Sequence, residues 1–372
     1  MEIRDDSATV LTLDAGGTHL VFSALRGGME VAGPVELRSC GENLDDFLAN
    51  LVRGFEMVRE VSGEDAAAIS FGFPGPADYP AGVVGPQKNL PCIREPLALG
   101  PFLQERFSLP TFLHNDADLF VHGEALGGFL PWVNGLIEKA GSPRRHHGLF
   151  GITLGTGLGA GFTLEGRMVA GDHGGGPEIW CLPSGPDASQ PAEEYASARA
   201  VVRSYEALTG IPVDEVPEPR ILFDIAKERA PGNAYAAREA FRRLGAAAGH
   251  AAAQALAILD CPLVVGGGLS GAAPLILPAL VEAMNARLHM PHGQRVSRMD
   301  GRAFNVEEEE GRKAFLRDVA SQDGKYRAAN KSPSVAQRLF PVGLTRLGTS
   351  RAAALGAYAA AIEFLDRGLG AL

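Results

Sequence analysis

The chain has 372 residues, 46% of them hydrophobic, and a formal net charge of −10. That length allows two or three domains, and the apolar content is enough for real cores. The acidic balance argues against general nucleic-acid binding, which rests on basic patches.

Residues 8–13 (A-T-V-L-T-L) form a short apolar run that ends at Asp14 and two glycines. Residues 20–25 predict a second strand and Gly27-Gly28 a turn. Apolar residues recur at helical spacing over 44–61. Residues 67–73 read as a strand ending in P-G-P. Residues 111–113 read as a strand leading into His114-Asn115-Asp116-Ala117 and a helix over about 118–126. Residues 148–154 predict a strand that ends in G-T-G-L-G-A-G, and a hairpin turns at Glu165-Gly166-Arg167. Helices follow over about 193–209 and 234–259. Residues 246–259, the most apolar helical stretch, are Ala-rich and broken by His250 and Gln254, which predicts a buried helix and not a membrane span. Residues 263–265 are a strand ending in three glycines, with a helix after Pro274 and a last Ala-rich helix over 350–365. The charged stretch from 291 to 334 reads as a surface insertion with one helix.

One theme occurs twice, in L-T-L-D-A-G-G-T (11–18) and I-T-L-G-T-G-L-G (152–159), about 140 residues apart. It predicts an α/β protein with two similar domains facing a cleft. At the first turn, backbone N–H groups and the Thr18 hydroxyl can meet a phosphate, and Asp14 can hold Mg²⁺ through water. The bland alternative is an ordinary hairpin turn. G-T-G-L-G-A formally fits a dinucleotide fingerprint, but a strand follows where that fingerprint needs a helix. A second phosphate hairpin fits better. Gly266 to Gly271 also satisfies G-x-G-x-x-G, without an acidic strand end about twenty residues on. It suits a close approach to an adenosine. Asn115-Asp116 can simply cap a helix. A carboxylate beside an amide also suits hydroxyl recognition and proton abstraction. Gly174–Gly176 allow a tight turn that presents Glu178. The nine histidines show no metal spacing, and no nucleophile elbow occurs. Cys40, Cys92, Cys181 and Cys261 are scattered, which disfavours disulfides and fits a reducing compartment. The acidic N-terminus has no apolar run, so no signal peptide is expected.

In order, L-D-A-G-G-T (13–18), P-G-P-A-D (74–78), N-L (89–90), N-D-A (115–117), Gly123-Glu124, G-T-G-L-G-A-G (155–161), the glycine-spaced stretch ending in G-G-G-P-E-I (166–179), E-E-Y-A-S (193–197), V-V-G-G-G-L-S (264–270) and L-G-A-Y-A-A-A (355–361) resemble the ROK family of sugar kinases and sugar-responsive repressors. The resemblance implies two actin-like ATPase (ribonuclease H-like) domains around a central cleft. The smaller would hold residues 1–115 with 348–372, the larger residues 116–347. It implies that Asp14, Gly16, Gly17 and Thr18 form the first phosphate loop and Gly155, Thr156 and Gly157 the second, with Gly267 and Gly268 near the adenosine. Asn115 and Asp116 would hold a sugar, with Asp116 as general base. Glu178 and Glu193 would bind hydroxyls, and Gly75 and Asn89 would close that pocket. The implied reaction is ATP- and Mg²⁺-dependent phosphorylation of a glucose-like hexose, at its 6-hydroxyl, by a cytoplasmic protein that admits a homodimer, with no nucleic-acid or membrane partner.

The chain departs from the family at one place. The family has G-E-x-G-H and then a cysteine-rich zinc cluster. Here P-E-I-W-C puts Trp180 for the glycine and Cys181 for the histidine, and residues 182–190 hold no cysteine. No structural zinc is therefore expected. Trp180 either stacks on a sugar or packs into the space that zinc would fill, and packing is the favoured reading. A non-catalytic sugar-sensing regulator is the alternative, disfavoured because the first strand starts near Ala8 and leaves no room for a helix-turn-helix. An NAD-dependent oxidoreductase is the weaker third reading.

Overall fold

A computed structural model describes residues 6–16, 19–39, 43–63, 65–86, 90–172, 174–185, 187, 189–327 and 337–367. The chain opens with β1 (Thr9–Ala15), β2 (His19–Arg26) and β3 (Met29–Arg38), an antiparallel meander. Helix α1 (Leu44–Ser62) follows, capped by the Asn43 side chain, which accepts from the Asp45 N–H at 2.9 Å. Its buried Phe47, Leu51, Phe55 and Val58 recur at three to four residues, so one stripe faces the sheet. Then come β4 (Ala66–Gly72), a short ribbon of β5 (Ala77–Asp78) and β6 (Val83–Val84), α2 (Leu99–Phe107), β7 (Thr111–His114) and α3 (Asp116–Gly127). The next elements are α4 (Phe129–Lys139), β8 (Gly148–Leu154), β9 (Leu158–Leu164), β10 (Arg167–Met168), α5 (Ala198–Thr209), α6 (Pro219–Ala226) and α7 (Ala234–Leu259). The chain continues with β11 (Leu263–Gly266), α8 (Ala273–Met284), β12 (Arg287–His289), β13 (Arg295–Ser297), β14 (Gly301–Asn305), α9 (Glu309–Arg327), β15 (Arg338–Leu344) and α10 (Thr349–Asp366).

Two compact units result, one of residues 1–128, 161–177 and 347–372, the other of residues 129–160 and 178–346. The first sheet has the order β3-β2-β1-β4-β7, with β1 parallel to β4 and β4 parallel to β7. The second has the order β10-β9-β8-β11-β15-β14, in which β8, β11, β15 and β14 run parallel. Each sheet thus joins an antiparallel hairpin to parallel strands. This mixed pattern is not the all-parallel sheet of a dinucleotide fold.

The core of the first unit is aromatic, with Phe22 edge-on to Phe55 at 5.0 Å and Phe107 edge-on to Phe55 at 5.9 Å. On the sheet's other face α10 lies against α3, where glycine is obligatory. A Cβ on Gly123 would lie 1.9 Å from the Ala352 carbonyl oxygen, and one on Gly356 would lie 2.0 Å from that of Leu119. In the second unit α7 approaches α8 in the same way, at Gly245 and Gly249.

Several elements differ from the sequence reading. The helix expected from 193 begins at Ala198, because residues 192–194 make a separate 3-10 turn. The stretch from 291 to 334 is more than a solvated insertion. It contains β14, which pairs with β15 and buries Ala303 and Phe304, and α9, which buries Phe315 and Val319. Charged residues so interrupt this stretch that its few buried apolar positions form no clear pattern. The unit division keeps α3 with the first unit, since α3 packs on α10.

Candidate active site

In the first unit, β1 ends at Asp14 and Gly16 makes the turn, its N–H donating to the His19 carbonyl at 2.9 Å. Gly17, Thr18 and Asn89 lie outside the described residues. On the neighbouring strands, β7 delivers His114 to the sheet edge and α3 starts at once. Asn115 caps that helix. Its Oδ1 accepts from the N–H groups of Ala117 at 2.9 Å and Asp118 at 3.3 Å. Its Nδ2 donates to the Tyr79 hydroxyl at 3.2 Å, and that hydroxyl donates to the Phe73 carbonyl at 2.9 Å. The capping alternative is therefore correct for Asn115. Because the amide carries the cap, Asp116 is released for other work.

Asp116 is exposed, and its Oδ1 accepts a local bond from the Ala117 N–H at 2.9 Å. The protein crowded around it raises its pKa, and the nearby Asp14 charge raises it further, against a lowering by that N–H. The sheet allows this approach because Gly72 has no side chain. A Cβ there would sit 2.8 Å from the Asp116 Cα. Gly75 lies close to Tyr79, but a Cβ on it would meet the Tyr79 hydroxyl at an ordinary 3.6 Å. Tyr79 was not singled out in the sequence. Its only signal is an aromatic shortly after P-G-P.

Gly174 and Gly176 both have left-handed backbones, at φ 71° and 59°, the conformation that a tight turn needs. A Cβ on Gly176 would also lie 2.6 Å from the Asp118 carboxylate. In the second unit, a single 3-10 turn of residues 179–181 follows Glu178. Ile179 is its buried anchor, while Glu178, Trp180 and Cys181 face outward, Trp180 at 42% exposure. The favoured packing reading for Trp180 is therefore not supported, since no closed space holds the indole. The Cys181 thiol donates to the Glu178 carbonyl.

The second glycine turn sits between β8 and β9. The Gly155 N–H donates to the Gly157 carbonyl at 3.0 Å. Gly267, at φ 89°, packs on β8, where a Cβ would lie 2.4 Å from the Leu154 carbonyl oxygen. The Leu269 N–H donates to that same oxygen at 2.9 Å. Gly155 and Gly268 are thus neighbours, and nothing crowds the Gly268 position. Glu193 lies against this turn. Its Oε2 accepts from the Leu158 N–H at 3.1 Å, and Arg199 pairs with its Oε1 at 2.6 Å. Arg199 was missed in the sequence, where its signal is an arginine six residues after Glu193 at a helix start.

Among the described residues no group of three or more His, Cys, Asp or Glu is placed to hold a metal ion by itself. Asp14 and Asp116 are neighbouring carboxylates, and neither has an ion-pair partner among the described residues. Such a pair suits a hard cation held mainly by a ligand's phosphates. No helix among the described residues is long and apolar enough to cross a membrane.

Residues 10–303 match the ROK family. The chain is 29% identical over 295 residues to a glucokinase of Thermotoga maritima, covering 73% of this chain and 86% of that one. A crystal structure of a glucokinase from Parabacteroides distasonis superposes with a TM-score of 0.80 at 39% identity, covering 98% of this chain and 99% of that one. A ROK family glucokinase from Streptomyces griseus, solved with glucose and AMPPNP, superposes with a TM-score of 0.63 at 20% identity, covering 96% and 100%. The fold is that of the actin-like ATPases, and the chain belongs to the ROK family.

Proposed function

We propose that this protein is an ATP-dependent hexose kinase of glucokinase type. The observation that carries the reading is Asp116. It is an exposed carboxylate, freed from capping by Asn115, with a raised pKa and Asp14 beside it. A general base works best when its pKa approaches the working pH.

The reaction needs positioning and charge neutralisation more than covalent help. Asn115 and Asp116 hold the sugar, with Glu178 and Glu193 bonding further hydroxyls and Gly75 and Asn89 beside them. Carboxylates suit a polyol because each accepts several strong hydrogen bonds. Asp116 takes the proton of the attacking hydroxyl. The bond from that oxygen to the γ-phosphorus forms as the bond to the β-bridging oxygen breaks, and ADP leaves. Asp14, Gly16, Gly17 and Thr18 bind phosphate oxygens, as do Gly155, Thr156 and Gly157. Gly267 and the uncrowded Gly268 approach the adenosine. Asp14 would hold Mg²⁺ through water, and the ion would supply charge neutralisation at the phosphates. Exposed Trp180, next to Glu178, is a stacking surface for a sugar ring. The 6-hydroxyl as acceptor and a cytoplasmic location complete the reading, which admits a homodimer.

The test is a coupled assay with Mg-ATP over glucose, mannose, other hexoses and N-acetylhexosamines. Turnover of glucose or a close relative is expected. No turnover on the whole panel sinks the kinase reading in favour of a sugar-sensing protein.

A further inference from the structure

Glu193 poses an electrostatic problem. Its carboxylate lies against the turn at 155–157, close enough that a Cβ on Gly157 would come within 2.5 Å of Oε2. A bare negative charge there opposes any phosphate that the turn's N–H groups attract. Arg199 answers it. This second residue of α5 donates to Glu193 Oε1 at 2.6 Å, to Glu194 Oε1 at 2.7 Å and to the Thr156 carbonyl at 3.3 Å. The Ala198 N–H donates to the Gly155 carbonyl at 2.8 Å. The start of α5 therefore holds the turn at Gly155, at Thr156 and, through Glu193, at the Leu158 N–H.

We infer that Arg199 is a positioning residue for the nucleotide. It cancels the Glu193 charge beside the phosphate turn and fixes the turn and that carboxylate as one rigid piece. A planar guanidinium reaches two carboxylates and a carbonyl at once, which an ammonium cannot do in the same geometry. An ordinary surface ion pair would contribute little. The difference here is what the charge faces. This inference rests on the proposed function, which assigns phosphates to the turn.

The experiment is calorimetric binding of Mg-AMPPNP to the wild-type protein, Arg199→Gln and Arg199→Lys at low and high salt, with KM and kcat for ATP and for the sugar measured alongside. Arg199→Gln is expected to weaken nucleotide binding by about tenfold at low salt, and added salt should narrow the gap because it screens the uncovered charge. Arg199→Lys should recover part of the loss. The KM for ATP should rise more than the KM for the sugar. Equal nucleotide affinity in wild type and Arg199→Gln, with the wild type still a kinase, overturns the inference and leaves the proposed function standing. So does a loss that salt leaves unchanged. Salt-sensitive weakening in a protein that phosphorylates no sugar supports the inference and removes the kinase reading. A wild type that binds no nucleotide removes both.

Discussion

His114 is the last residue of β7 and directly precedes Asn115 and Asp116. Its Nε2 is sealed from water with no hydrogen-bond partner among the described residues, and its ring lies 6.0 Å from that of Phe364. Burial, with a smaller contribution from His122, pushes its pKa from 6.5 down to about 4. The folded state therefore resists a proton that the unfolded chain accepts near pH 6.5. By linkage, the stability tied to this residue is complete above about pH 6.5 and falls as the pH drops toward 4. At about 1.4 kcal/mol per pH unit, that window of about 2.5 units corresponds to at most about 3.5 kcal/mol, less where the ring edge still meets water. His114→Phe keeps the tilted ring contact with Phe364 and removes the titrating nitrogen. Denaturant unfolding at pH 7.5 should give a similar stability for the variant and the wild type. Between pH 6.5 and 4.5 the variant should lose clearly less stability. Some acid sensitivity should persist, because His122 is also buried with a lowered pKa. Identical pH dependence of the two proteins would refute the argument that His114 is held neutral.

Other outcomes follow from the same geometry. Asp116→Asn should cut turnover by about 10²- to 10⁴-fold, while sugar binding followed by tryptophan fluorescence persists. Because the Asp116 pKa is raised, the acid limb of the wild-type kcat/KM profile should lie above the ordinary carboxylate range; a limb within that range would count against its role as base. Gly123→Ala forces α3 and α10 apart and should cost about 3 kcal/mol or prevent folding, whereas Gly135→Ala in α4, where a Cβ meets nothing within 4 Å, should be neutral or slightly stabilising by thermal unfolding. Elemental analysis should find no stoichiometric zinc; one tightly bound zinc per chain would refute the reading of Trp180 and Cys181.

The sequence carried the site in its small residues. A strand that must stop, turn on glycine and start again leaves a local signature, and so did L-D-A-G-G-T and L-G-T-G-L-G. Asn-Asp between a strand and a helix is equally local, because capping chemistry acts within three residues. Helix α1 was legible from its periodicity, and α7 from its Ala-rich apolar run. Other features were not, because they depend on residues far apart in the chain. β14 reads as part of a charged stretch until β15, more than thirty residues later, gives it a partner. Gly123 looks like any helical glycine until α10 arrives against it. Trp180 reads equally well as filler or as a surface, and only the position of Ile179 as the buried anchor turned the indole outward. The division of labour between Asn115 and Asp116 also required the tertiary structure, since it is Tyr79 that holds the amide in its capping pose. Local backbone demands write themselves into sequence. Burial and charge compensation do not, because they are set by whichever residues the fold brings alongside.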